Sequence, residues 1–353
     1  MSTNQYIFIT DRIGSCLLGG RAYCAISTED AFEQALLEEC RDTLLQKPGR
    51  SYMQVRSCTT EEKLWMIPFA GNEEMLDLLL DAMEIALPVG ACASKLHFPI
   101  DVAADQGQYA YLLRPMERDG TVPIRSIMPD TEAPRWDAAI SLFERVRELH
   151  GMGLTSNGFS REQMRCERAS GDVHLWLTER MRPVSGQNTV EKVSHGGFLA
   201  IPARTEKICR KMDIPISGKQ RDMFSAAVSA FYLIVCEHPF VGAQYAQKTR
   251  QLYLELYHKG TDYVLLPGTE NYLGSISSSL LKRKHLEQMV PELRQLFDQM
   301  FMAVTDPIGN WDPKLECWNS ENWMEALHRE KQCNDNETRR MHFDFSNSVY
   351  HIV

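Results

Sequence analysis

Apolar residues recur along this chain with two periods, and the change from one to the other marks out its elements. Between Asn72 and Ala86, the residues Met75, Leu78, Leu79, Ala82 and Ile85 return every three or four positions, which predicts a helix with one apolar face. Thr28-Glu29-Asp30 opens like an N-cap, and Phe32, Ala35, Leu36 and Leu37 supply an apolar face behind it, so a second helix is expected over 28–46. Short β-rich runs read as strands at Met53-Gln54-Val55-Arg56, Leu64 to Phe69, Phe98 to Val102 and Tyr109 to Met116, the last two as a pair. Near the end, His342-Phe343-Asp344-Phe345 and Val349 to Val353 alternate as strands do, and Ser346-Asn347-Ser348 between them predicts a hairpin. The longest apolar run, Ala226 to Cys236, is about half of the ~20 residues a membrane-spanning helix needs.

Composition narrows the class. With 353 residues the chain can bury substantial cores, and 44% apolar with 24% charged residues is the make-up of an ordinary globular protein. Its 38 basic side chains are outnumbered by 47 acidic ones, a net charge of −9, which argues against nucleic acid or an anionic membrane as partner. The polar start Met1-Ser2-Thr3-Asn4-Gln5 lacks the pattern of a secretory leader, so a cytoplasmic location is expected. Ten cysteines without a Cys-x-x-Cys pair suit reduced, mostly buried thiols better than disulfides or zinc.

The most informative stretch runs from Leu149 to Met164. Leu149-His150-Gly151-Met152-Gly153 is followed by Ser156-Asn157-Gly158 and, after four further residues, Gln163. This resembles the catalytic segment of protein kinases, which runs Leu-His-x-x-Gly, then His-Arg-Asp, then Asn. By that resemblance Gly158 stands where the Asp that accepts the substrate proton belongs, and Gln163 stands at the Asn that holds a second magnesium ion. About ten residues on, Val173-His174-Leu175-Trp176 is similar to the strand before the family's Asp-Phe-Gly, and Leu177 takes the place of the metal-binding Asp. An aliphatic side chain offers Mg²⁺ no oxygen. Glu179, Asp172 and Glu162 are the nearby carboxylates that relocated chemistry would have to use.

Other segments resemble the same family. Gln220 to Val228, continuing to Glu237-His238-Pro239-Phe240, is similar to the long central helix of the large lobe, with Asp222 on the residue that anchors the catalytic-loop backbone. Val290 to Phe301 and Cys317 to Leu327 resemble the ending of a group of bacterial kinase-like proteins. Trp318 and Asn319 replace its Arg-Pro, and Leu199 to Arg204 lacks the Glu with which that Arg pairs, so both halves of an ion pair are absent together. Asp11 to Ala25 resembles the phosphate-covering glycine loop: Gly14 and Gly20 are kept, while Cys16, Leu17 and Leu18 intervene. The strand lysine is either replaced by Arg56 or, if Leu64 to Phe69 is that strand, lost. Glu73, Glu74 and Glu84 are its candidate partners or solvated face residues.

The resemblance implies an α+β, two-lobed protein-kinase-like fold. A small β-rich N-lobe with one main helix would cover 1–116, with a helical insertion at about 28–46, and a larger, mostly helical C-lobe would cover 117–330. The tail, 331–353, reads as a hairpin or as a degenerate zinc ribbon, for which Cys333 and His342 supply only half of a four-ligand set. The expected function is that of a pseudokinase: not an enzyme, without a resident cofactor or metal, and regulatory or scaffolding through contacts with protein partners. Gly14, Gly20 and Arg56 would line a vestigial nucleotide cleft. The alternatives are a sensor that binds ATP without metal and an atypical transferase moving AMP or glutamate.

Overall fold

Backbone hydrogen bonding in the computed structural model gives an α+β architecture, described here over residues 6–8, 53–57, 63–69, 72–90, 95–105, 108–114, 120–124, 135–184, 199–235, 238–240, 257–260, 262–265, 269, 272 and 289–349. The chain divides into two units. The first comprises Met1–Asp119, Met152–Ser156 and Leu175–Ser185, and the second Gly120–Gly151, Asn157–His174 and Gly186–Val353.

In the first unit, β1 (Tyr6–Phe8), β2 (Met53–Ser57), β3 (Lys63–Phe69), β5 (Asp101–Asp105) and β6 (Gln108–Leu113) form an antiparallel sheet in the order β1-β2-β3-β6-β5. Leu64, Trp65 and Met66 of β3 and Ala110 through Leu113 of β6 are buried in unbroken succession. Successive strand residues point to opposite faces, so both faces of these two inner strands are covered. Phe98 to Ile100, expected to begin a strand, precede it instead. The ladder starts at Asp101, where Val102 donates to the Asp101 carboxylate over 2.8 Å.

Helix α1 (Glu73–Gly90) begins where Asn72 caps it. The Asn72 Oδ1 accepts the Met75 N–H at 2.9 Å, and Glu73 and Glu74 sit at the positive end of the helix dipole. Its buried stripe is Leu79, Ala82, Met83 and Ala86, whereas Met75 and Leu78 are half-buried and Ile85 is exposed. The period identified the helix but placed its inner face a few tens of degrees off. Leu76, Leu78 and Leu80 spread apolar residues around the cylinder, so spacing alone does not choose the side. This helix packs on β8 (Leu154–Thr155) and β11 (Arg182–Pro183), which pair antiparallel. Short strand β4 (Leu96–His97) pairs in parallel with Leu175 and Trp176 at the end of β10 (Val173–Trp176), and the His97 ring stacks on the Trp176 indole at 4.1 Å and 5°.

The second unit is built around α4 (Gly218–Val235). Every residue from Met223 to Phe231 is buried, as expected of a helix apolar on all sides. Helix α2 (Arg135–Gly151) lies against it, as does α5 (Pro291–Thr305). Aromatic rings join these helices to α7 (Ser320–Val349). Phe143 stacks on Trp323 at 4.9 Å, Trp323 meets Phe297 edge-on at 4.9 Å, and Phe231 meets Phe297 and Phe301 edge-on at 5.2 and 5.7 Å. Strands β7 (Thr121–Pro123) and β9 (Met164–Glu167) pair antiparallel, and the Val173 N–H donates to Ser141 Oγ of α2 at 2.9 Å. Helix α3 (Ala203–Lys211) is tied to the end of α5 by Thr205 Oγ1, which donates to the Val304 carbonyl at 2.7 Å.

The tail corrects the sequence reading. Helix α7 continues without a break to Val349, so His342 to Phe345 belong to a helix and not to a hairpin. A two-stranded ribbon is marginal by itself, whereas extending a packed helix adds one hydrogen bond for each residue fixed. Cys333 and His342 stand nine residues apart on that helix, about 13 Å along its axis, which is too far for two ligands of one zinc ion. Among the described residues no helix is long and apolar enough to cross a membrane.

Candidate functional site

The turn after α2 is fixed by a buried carboxylate. Asn157 and Gly158 both adopt left-handed backbone angles, with φ of 56° and 82°, and Asn and Gly are the residue types that do so at least cost. The reversal points the Gly158 N–H at Asp222 Oδ1, 2.6 Å away, while Asp222 Oδ2 lies 3.1 Å from His150 Nε2 in the last turn of α2. Asp222 is fully buried. Buried carboxyl oxygens need hydrogen-bond partners, and the loop backbone and the imidazole supply them.

Ser225, one helical turn along α4, holds the next residue. Its hydroxyl accepts the Phe159 N–H at 3.3 Å and donates to the Leu199 carbonyl at 2.9 Å. Asp222 and Ser225 are spaced i, i+3 and therefore share a helix face, which turns one side of α4 into a clamp for residues 158–159. The sequence motif identified Asp222 as an anchor. It gave no role to His150 or Ser225, although the i, i+3 spacing was the signal for the latter.

The positions matched to catalytic and metal-binding residues have other occupations. Gly158 has no side chain. Gln163, in a single 3₁₀ turn (Arg161–Gln163), accepts the Ser160 N–H on its amide oxygen at 2.8 Å, which closes a local capping bond. In the first unit Ser156 is buried, and Leu177 is a fully buried core residue whose N–H donates to the His97 carbonyl at 2.8 Å.

The residues that carry the alternative carboxylates have structural contacts through their backbones. Burial first, and then the charge of Glu179, push the buried Tyr111 phenol well above the usual tyrosine range. The Glu179 carbonyl accepts Arg182 Nη1 at 2.6 Å, and the same nitrogen reaches the Met181 carbonyl at 2.8 Å. Asp172 shapes the turn before β10, where its carbonyl accepts the Glu167 N–H at 2.9 Å and its own N–H donates to Ser170 Oγ at 3.2 Å. The Glu162 side chain lies outside the description.

Arg56 lies in β2, in register with Ile7 and Lys63, and its side chain is outside the described atoms. Gly14, Gly20 and the helix expected at 28–46 also lie outside the described residues. At the positions compared with the Arg-Pro of the resembled ending, the Trp318 indole donates to the Asp312 carbonyl at 2.9 Å, and Asn319 Oδ1 accepts the Glu321 N–H at 3.0 Å as the cap of α7. Among the described residues no group of three or more His, Cys, Asp or Glu side chains is arranged to hold a metal ion. The sequence matches no protein-family model, and no curated protein matches it.

Proposed function

We propose that this chain is a degenerate protein-kinase-like protein, a cytoplasmic pseudokinase. In this reading a small β-rich lobe covers 1–116, a larger helical lobe covers 117–330, and the chain acts through contacts with other proteins instead of transferring phosphate. The carrying observation is the division of labour around Asp222. The carboxylate that organises the loop backbone is retained and fully buried, while the positions matched to the catalytic base and the metal ligand hold Gly158, without a side chain, and Leu177, an aliphatic core residue. Phosphoryl transfer depends on metal ions and positioned oxygens at those two points. Glu179, two residues on from Leu177, lies where its charge acts on the buried Tyr111 phenol.

The test is thermal unfolding of the full chain with ATP, in the presence of Mg²⁺ or Mn²⁺ and with a chelator. A ligand at about 100 times its Kd adds ~2.7 kcal/mol of stability. No shift supports the scaffold reading. A shift independent of metal replaces it with a nucleotide sensor, and a shift that requires metal overturns it in favour of a transferase.

A further inference from the structure

The outer face of α3 is positively charged on a chain whose net charge is −9. Arg204, Lys207, Arg210 and Lys211 are all exposed and occupy the side of the helix opposite the buried Thr205 and Cys209. No acidic side chain among the described residues pairs with any of the four. The helix's own carboxylate, Glu206, turns inward to an ion pair with Arg221 of α4. The arrangement opposes local helix electrostatics. Arg204–Lys207 and Lys207–Arg210 are like charges at i, i+3, Lys207–Lys211 at i, i+4, and such pairs destabilise a helix. The last-turn cations Arg210 and Lys211 suit the helix dipole, but Arg204 sits at its positive end.

Two apolar side chains are exposed on the same elements. Met212, which closes α3, is 52% exposed, and Ile308, on the short helix α6 (Pro307–Asn310) that packs against α3, is 65% exposed. Cations beside exposed aliphatic side chains form the chemical complement of an acidic segment with apolar anchors. Nucleic acid fits less well, because the exposed aliphatic side chains offer phosphates nothing.

We infer that the α3–α6 face docks an acidic, leucine-bearing segment of a partner protein. The inference rests on the protein-contact reading above and supplies the chemistry of the partner. The probe is a short fluorescent peptide rich in Glu and Asp with two leucines one helical turn apart, titrated into the full chain. A single-stranded oligonucleotide of similar charge serves as the alternative ligand.

The expected result is saturable peptide binding that weakens with salt. It should fall about tenfold or more in Lys207→Glu/Lys211→Glu and clearly in Ile308→Asp. All three substitutions are at exposed positions, and an unchanged melting temperature confirms folding; if the charge reversal does not fold, Ile308→Asp alone decides. Failure of the wild-type chain to bind, binding unchanged in the folded variants, or an oligonucleotide that binds as tightly as the peptide and ignores Ile308→Asp overturns the inference. These outcomes are separate from the ATP experiment: a metal-dependent shift would remove the pseudokinase reading and leave this surface standing, and loss of peptide binding would do the reverse.

Discussion

Asp222 and Leu177 are equally buried, yet one is a carboxylate and the other an aliphatic side chain. The difference follows from what the neighbouring backbone requires. Around Asp222 the chain turns through two left-handed residues, and the Gly158 N–H finds its acceptor on the carboxylate. Around Leu177 the chain is extended beside β4, and the Leu177 N–H is satisfied by the His97 carbonyl. A buried N–H without an acceptor is costly, so the first position demands a polar side chain and the second leaves the side chain to the core. The buried carboxylate stands where the backbone needs an acceptor.

That contrast is most sharply tested by reversing it. Leu177→Asp reinstates the residue type of the resembled motif, but in a fully apolar setting it should cost about 5 kcal/mol or more and should create no metal-dependent affinity for ATP. Urea denaturation and the ATP melt read the two halves of this prediction. The reciprocal change, Asp222→Ala, strips the Gly158 N–H and His150 of a partner, with an expected loss of ~3–5 kcal/mol in the same denaturation experiment.

Ser225→Ala removes one acceptor and one donor from the same clamp while leaving Asp222 in place. It should cost ~1–3 kcal/mol and speed hydrogen exchange at the Phe159 amide. If it costs as much as Asp222→Ala, the loop is held by the helix face as a whole and the emphasis on the carboxylate is misplaced.

These differences also define what the sequence made legible. Helix α4 and the position of Asp222 at its start were both read from the family resemblance, and the helix is found over Gly218–Val235. The inner face of α1 was harder. Three leucines off the main stripe blur its period, and Met83 and Ala86 turned inward where Ile85 was expected. The hairpin reading of the tail failed because Phe343 and Phe345 alternate over too few positions to distinguish a strand from a helix that is already propagating. The influence of Glu179 on Tyr111 joins residues far apart in the sequence, and no local pattern announces it.

Alkaline pH probes the burial of Tyr111 near the charge of Glu179. The folded chain holds the Tyr111 proton more tightly than the unfolded chain, whose tyrosine titrates near 10.0. The contribution is therefore complete below that pH and is lost as pH rises toward the folded value, at up to ~1.4 kcal/mol per pH unit. Tyr111→Phe should flatten the alkaline limb of a stability–pH curve by that amount, and an unchanged limb would mean the phenol titrates normally.

Gly158→Ala should have the smallest effect, about 1 kcal/mol from the left-handed backbone it would occupy, and should leave the Asp222 clamp intact. A loss as large as that of Asp222→Ala would show that the turn itself, and not its anchor, limits stability.

The central point of the proposed function is that the Asp222 carboxylate serves shape and that the chain does not transfer phosphate. Incubating the full chain with ATP labelled on the α- or the γ-phosphate, with Mg²⁺ and with Mn²⁺, and resolving it on a denaturing gel tests this most directly. The account predicts that neither label remains on the chain or on an added acceptor protein. Covalent γ-label would identify a kinase and covalent α-label a nucleotidyl transferase, and either would contradict it.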